Sequence, residues 1–408
     1  MTPAVNPVPG PSVATLAVAV VLLVTVAGYA LFAGADLGGG TWDLLAGGDE
    51  RGARPREEID ASVTPVWEGN HVWIIFGLVV FWTGFPSAFS AVMVALFVPL
   101  ALSLLGIVLR GIGFAFRHEA QRPATTRLYG ALFAASSLLT PFFLGTAVGG
   151  VATGAVPADP AGNLLGAWTS PTALVTGLLF VATCAYVAGV YLVADCERRG
   201  HDDLARYFRR RSLAAGLVTG LLAAINLVLL ARSAPYLWAG LTGPALPAVA
   251  VSVLGGIAAL ALLLTRRPML LRGAAALAVV GVVAGWGVAQ YPWVLPGAVT
   301  LSQSAAPEPA QLALLVALGL ALVLVFPAFV WLYWLQQHGM LQESSPPSVP
   351  AGARGREDVA ERTPPPAMPV RAAADRHRGL EAVVLLVVAG SVLRDAVRQL
   401  TSGRRRRR

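Results

Sequence analysis

An acid, an amide and an imidazole fall within four positions of one another in Pro65-Val66-Trp67-Glu68-Gly69-Asn70-His71-Val72-Trp73, inside a chain that otherwise reads as membrane. Such groups are expensive in hydrocarbon and need a partner or a task there. A second acid, Asp36, follows the first apolar stretch in Ala-Gly-Ala-Asp-Leu-Gly-Gly-Gly. Translocon scales put an acid at the centre of a membrane helix at about 2.5 to 3.5 kcal/mol. Carboxylates and an imidazole can take up and release protons, so the chemistry these types suggest is a protonatable path built from Glu68, Asp36 and His71, with Trp67 beside them. If Pro65 opens a helix, as proline does well in a first turn, Glu68 and His71 share a face three residues apart. Arg110, at the end of the third apolar window, lies at the same depth and is the candidate charge partner. The four groups are expected to form a wet cluster facing the cytoplasm.

Each residue also has a plainer reading. Glu68 suits a helix N-terminus through the dipole, and His71 suits a hydrogen-bonded core position. Asp36, among glycines, suits a helix-ending turn. Arg110 suits a lipid-headgroup anchor, and Trp67, Trp73 and Trp82 suit an interfacial belt. Asn226, alone in its apolar window, suits helix–helix glue.

The elements that must position these groups are membrane helices. Of 408 residues, 56% are hydrophobic and 13% charged, with a mean hydropathy of +0.67, values outside the range of ordinary globular domains. Windows long enough to cross about 30 Å of hydrocarbon fall at 12–34, 64–83, 88–109, 128–150, 171–194, 213–231, 246–265, 273–290 and 310–335. They predict an all-α polytopic protein of about nine spans, with eight as the competing count because Arg266-Arg267-Pro268 splits the seventh window from the eighth. Gly84-Phe85-Pro86-Ser87 marks a tight turn between the second and third.

The formal charge of +8 is carried by arginine without any lysine. Arginines gather in the segments 49–60, 110–127, 195–212 and 266–272, whereas 151–170 and 291–309 have none and 232–246 has only Arg232. By the positive-inside rule this predicts an outside N-terminus and a cytoplasmic C-terminus. Basic residues in loops and tail do not make the folded basic face that nucleic-acid binding needs. Two cysteines, Cys184 and Cys196, offer neither a disulfide framework nor a zinc pattern. The apolar run 13–32 has no charged residue before it and is expected to be a retained first span.

Three segments are expected: a membrane domain over 1–338, a disordered polar linker over 339–378, and a basic interfacial helix and tail over 379–408 held by anionic lipid. Of five histidines only His71 falls within an apolar window, so the chain cannot supply two axial histidines to an intramembrane haem. It also lacks a phosphate-binding glycine loop and a cysteine cluster for iron–sulfur.

At Gly28-Tyr29 through Asp36-Leu37-Gly38-Gly39-Gly40, at Pro65 through Trp73, at Phe85-Pro86, and at Leu109-Arg110-Gly111-Ile112-Gly113-Phe114-Ala115-Phe116-Arg117, the chain resembles subunit II of the cytochrome bd-type quinol oxidases. Gln290-Tyr291-Pro292-Trp293-Val294-Leu295-Pro296 adds a weaker match, and the resemblance covers about the first 338 residues. It implies two four-helix bundles plus a peripheral helix. It implies a bacterial inner-membrane complex with a haem-bearing subunit I that holds haem b and haem d, oxidises quinol and reduces oxygen to water. A small accessory subunit is a further partner, and this chain itself would hold no cofactor. The acid after tryptophan, here Glu68, is implied in a cytoplasmic proton pathway; many relatives have Asp there, and Gln or Glu where this chain has His71. The rival readings from the residues are a proton-coupled secondary transporter using Asp36, Glu68 and His71, and a purely structural membrane subunit.

Overall fold

The computed structural model describes residues 10–63, 67–117, 123–159, 165–265 and 267–337. The linker 339–378 and the tail 379–408 lie outside the described residues. In chain order the helices are α1 (Val13–Gly28), a π-helical stretch Tyr29–Ala33, α2 (Gly34–Leu44), α3 (Asp49–Val63), α4 (Trp67–Gly84), α5 (Pro86–Ala95), α6 (Phe97–Arg117) and α7 (Pro123–Ala152). Then come α8 (Pro171–Arg199), α9 (Asp202–Ser233), α10 (Pro235–Thr242), α11 (Leu246–Leu262), α12 (Pro268–Gln290), a two-stranded antiparallel hairpin of β1 (Trp293–Leu295) and β2 (Val299–Thr300), α13 (Leu301–Ser304) and α14 (Glu308–Gln337). The protein is an all-α polytopic membrane protein.

Local chemistry sets the helix ends. Ser12 accepts the Thr15 amide at 3.1 Å and opens α1, and Ser170 does the same for Ala173 at 3.2 Å with Pro171 at the first helical position of α8. Gly200, at φ 75°, closes α8 in the left-handed region that suits glycine. The break expected at Gly84-Phe85-Pro86 is present: Phe85 leaves the helical region and Pro86 starts α5.

Among the described residues, seven helical stretches are long and apolar enough to cross a membrane, and α10 with α11, bent by 76°, would make an eighth. The nine apolar windows fall mainly on helix where described, but the third crosses the turn at Leu96 between α5 and α6, and the seventh runs past the end of α11 at Leu262. The window outside that count is the second, on α4, whose described apolar stretch is Gly69–Gly84. The segment 49–60, read as a loop, is the polar helix α3. Ion pairs near its middle tie it to its neighbours: Arg56 Nε donates to Asp43 at 2.8 Å, and Glu58 accepts from Arg199.

Packing puts α2 between α7 and α8, with α6 along α7, α9 along α8, and α12 against α8 and α11, while α1 lies against α4, α12 and α14. The largest core cluster gathers α8 residues such as Tyr186, Val190 and Cys196 around Trp42, Phe133 and Phe208. A second holds Val18, Val80, Phe85, Leu96, Leu295 and Leu301.

A candidate buried proton site

Asp36 is in the first turn of α2, and α1, the π-helical stretch and α2 follow one another without a break. The helix-ending turn read from the glycines is therefore absent: Gly38, Gly39 and Gly40 are helical and buried. Their use is close approach. A Cβ on Gly38 would overlap the Cys184 carbonyl of α8, and one on Gly40 would overlap the Ser137 side chain of α7. The two glycines let α2 lie tightly against both neighbours and carry the Asp36 carboxylate to the α6–α7 seam. π-helical turns of this kind recur at functional sites.

Arg110 of α6 meets it there. Its Nη2 donates to Asp36 Oδ1 at 2.5 Å and to the Asp36 carbonyl at 3.0 Å, and its Nη1 donates to Ser137 Oγ. The guanidinium carbon lies 4.4 Å from the centroid of the Phe133 ring. Ser137 Oγ in turn donates to the Phe133 carbonyl at 2.6 Å. Arg110 is 1% exposed and Asp36 2%, which replaces the headgroup-anchor reading of Arg110, since arginine is almost never so buried unless paired. Each charge offsets the desolvation of the other.

His71 of α4 closes the other side, with Nε2 3.9 Å from Asp36 Oδ2 and its ring centroid 6.3 Å from that of Tyr29. That separation is beyond hydrogen-bond length but within reach of a small rotation or one bridging water. Four buried atoms here have no hydrogen-bond partner among the described residues: Asp36 Oδ2, His71 Nδ1, the Tyr29 hydroxyl and Arg110 Nε. The structure thus joins three of the sequence-predicted residues, Asp36, His71 and Arg110, in a closed layer where a wet cluster was expected. Trp67 and Glu68 occupy the first turn of α4, four and three residues before His71. Their side chains lie outside the described residues.

Sequence reasoning missed Tyr29, Phe133 and Ser137. The signal available was the run Ser136-Ser137 with Thr140 inside an apolar window. It also missed an ionic layer at the arginine-rich helix ends: His201 Nδ1 lies 2.9 Å from Glu58 Oε2, and Asp195 accepts from Arg272 at 2.5 Å and from Arg198. Trp73 packs on Phe32 at 5.8 Å between ring centroids, and Asn226 accepts from Thr176 across α8 and α9 at 3.2 Å, so both have packing roles. Among the described residues no three His, Cys, Asp or Glu side chains gather as metal ligands.

The family model for cytochrome bd terminal oxidase subunit II matches residues 14–336. The chain is 25% identical over 126 residues to "Cytochrome bd ubiquinol oxidase subunit 2" of Bacillus subtilis (strain 168), covering 31% of this chain and 36% of that relative. It is 25% identical over 127 residues to "Cytochrome bd-I ubiquinol oxidase subunit 2" of Escherichia coli (strain K12), covering 31% and 33%. The matched stretch thus spans about a third of the length of those curated relatives. A solved chain from "The structure of bd oxidase from Geobacillus thermodenitrificans" has the same fold, with a TM-score of 0.64 at 22% identity over 81% of this chain and 100% of that one. With the family model matched from the first span through the last described helix, the chain belongs to the cytochrome bd terminal oxidase subunit II family.

Proposed function

We propose that this chain is the haem-free subunit II of a bd-type quinol:oxygen oxidoreductase. In that role it supports a haem-bearing subunit I and supplies part of a proton pathway from the cytoplasm. The observation that carries the reading is the buried layer of Asp36, Arg110 and His71, one turn along α4 from Glu68. In it Arg110 binds Asp36 Oδ1 and the Asp36 main chain, which fixes the carboxylate and leaves Oδ2 turned to His71. His71 can take a proton at one ring nitrogen and release one at the other. Glu68, at the arginine-rich end of the same helix, is the entry acid. The arginine-rich helix ends then face the cytoplasm and the N-terminus lies outside, in a bacterial inner membrane.

The haems, which carry the electron transfer and oxygen chemistry, are assigned to the partner, because the described membrane-spanning residues offer no second axial histidine. His71 is the one histidine among the described membrane-spanning residues, and its Nε2 is directed at Asp36. Quinol and membrane lipid complete the ligands, and a small accessory subunit is a further partner. The tail over 379–408 is read as an interfacial helix on the cytoplasmic surface. The transporter reading needs polar groups at mid-membrane in both halves. In the second half Asn226 and Thr176 are spent on each other.

The test is the complex purified with its partner. A reduced-minus-oxidised spectrum should show haem in the complex and none in the isolated chain. Glu68→Gln should slow quinol-dependent oxygen uptake while leaving haem content unchanged. Stoichiometric haem on this chain alone, or full turnover in Glu68→Gln across the active pH range, overturns the corresponding half of the reading.

A further inference from the structure

We propose that Arg206, Arg210 and Arg211 of α9 form a site for the phosphate of an anionic phospholipid, whose acyl chains lie along the exposed apolar face of the same helix. This face is separate from the Asp36–Arg110–His71 layer and takes no part in the proton-pathway reading.

Arginines gather at this end of the helices, where carboxylates take up several of them. Arg54 and Arg56 of α3, Arg198 and Arg199 of α8, Arg209 of α9 and Arg272 of α12 are each ion-paired. Arg206, Arg210 and Arg211 have no such partner among the described residues. The contacts they do make leave their charge open. Arg206 Nε donates to the Asp202 carbonyl at 3.3 Å, and the Arg211 guanidinium carbon lies 3.5 Å from the centroid of the Tyr207 ring. Stacking of that kind occupies a flat face of the guanidinium and leaves its in-plane N–H groups free to donate. After Asp203, α9 carries no acid through to its end at Ser233, so the helix supplies these cations with no counter-charge further along.

The apolar part of the site follows from helix geometry. With 3.6 residues per turn, Arg206, Arg210, Leu217, Leu221 and Val228 fall within about 60° of one another around α9, and all five are exposed. At 1.5 Å per residue, Leu217 lies about 10 Å and Val228 about 27 Å along the axis from Arg210. The strip therefore runs from the arginines through the depth of one leaflet, about half of a 30 Å hydrocarbon core. A phospholipid presents the matching order, a phosphate followed by acyl chains. Arginine suits the phosphate because its planar fork donates two parallel N–H···O bonds and is weakly hydrated. A free phosphate would use the arginines alone, and the continuous apolar strip is what commits the occupant to a lipid. Each arginine beside anionic lipid contributes about a fivefold preference, on the order of a hundredfold for the three.

The test places the purified oxidase complex in phosphatidylcholine nanodiscs with a trace of phosphatidylglycerol carrying a photoactivatable group in an acyl chain. A matching phosphatidylcholine probe is used at the same trace fraction. The ratio of crosslinking by the two probes to residues 213–231, read by peptide mapping, is the preference. In wild type it should be on the order of a hundred. Arg210→Gln should lower it about fivefold, and Arg206→Gln with Arg210→Gln and Arg211→Gln should bring it close to one. Arg232→Gln, at the far end of α9, should leave it unchanged. Should the triple variant assemble poorly, Arg210→Gln alone decides. A ratio near one in wild type, or a wild-type ratio in Arg210→Gln, overturns the site. Loss of the preference on adding inorganic phosphate, but not chloride of the same ionic strength, assigns the arginines to a free anion and overturns the lipid. Loss of the haem-bearing partner in Arg210→Gln with the preference intact assigns them to a protein contact. A preference that emerges only on truncation after His338 assigns them to the chain's own tail. Either of these last results also overturns the proposal.

Discussion

Replacing Arg110 by methionine isolates what the buried ion pair contributes. Arg110→Met keeps an apolar stem against Phe133 but removes the donors to Asp36 Oδ1, the Asp36 carbonyl and Ser137 Oγ. Asp36, at 2% exposure, is then a charge without a partner in low dielectric. Breaking such a pair from one side costs about 3–5 kcal/mol, or about two to four powers of ten in the equilibrium it acts on. A whole membrane complex does not unfold in two states, so the assay is the fraction of chain that co-purifies with haem and the half-life of that fraction on heating. Arg110→Met should assemble poorly, Asp36→Asn should suffer less because the amide still accepts from Arg110, and Asp36→Asn with Arg110→Met should recover part of the single loss. That recovery is the coupling of the pair. An Arg110→Met complex as abundant and long-lived as wild type, or a double variant as poor as the two losses summed, would refute the closed pair.

Three further outcomes can be measured. Glu68→Asp should be milder than Glu68→Gln in oxygen uptake, because a titrating carboxyl remains in place; equal loss in both would show that length, not protonation, matters at this position. Gly38→Ala should reduce assembly, since its new methyl overlaps the Cys184 carbonyl of α8 and overpacking costs about 1–3 kcal/mol; normal yield would show that α2 and α8 can separate without loss. A cysteine placed at Ser402 should be labelled from the cytoplasmic side alone, against little background because Cys184 and Cys196 are buried; labelling from outside would put the segment after Leu380 across the membrane.

Much of the fold was legible because membrane helices announce themselves by length and hydropathy, and the break at Phe85-Pro86 by chemistry alone. What was misread turned on packing partners far away in sequence. Gly38 and Gly40 look like a turn until α7 and α8 are placed beside them, and the charged run of α3 looks like a loop until Asp43 and Arg199 pair with it. The site followed the same division. Asp36, His71 and Arg110 stood out because each is costly in hydrocarbon, but their relation did not, since it depends on the register of three helices. That relation decides their chemistry. Had Arg110 taken both carboxylate oxygens, Asp36 would be a structural counter-ion and nothing more. With Oδ1 bound and Oδ2 turned to His71 at 3.9 Å, the pair neutralises the buried charge and leaves one oxygen without a hydrogen bond among the described residues, which is the arrangement the relay proposed above requires.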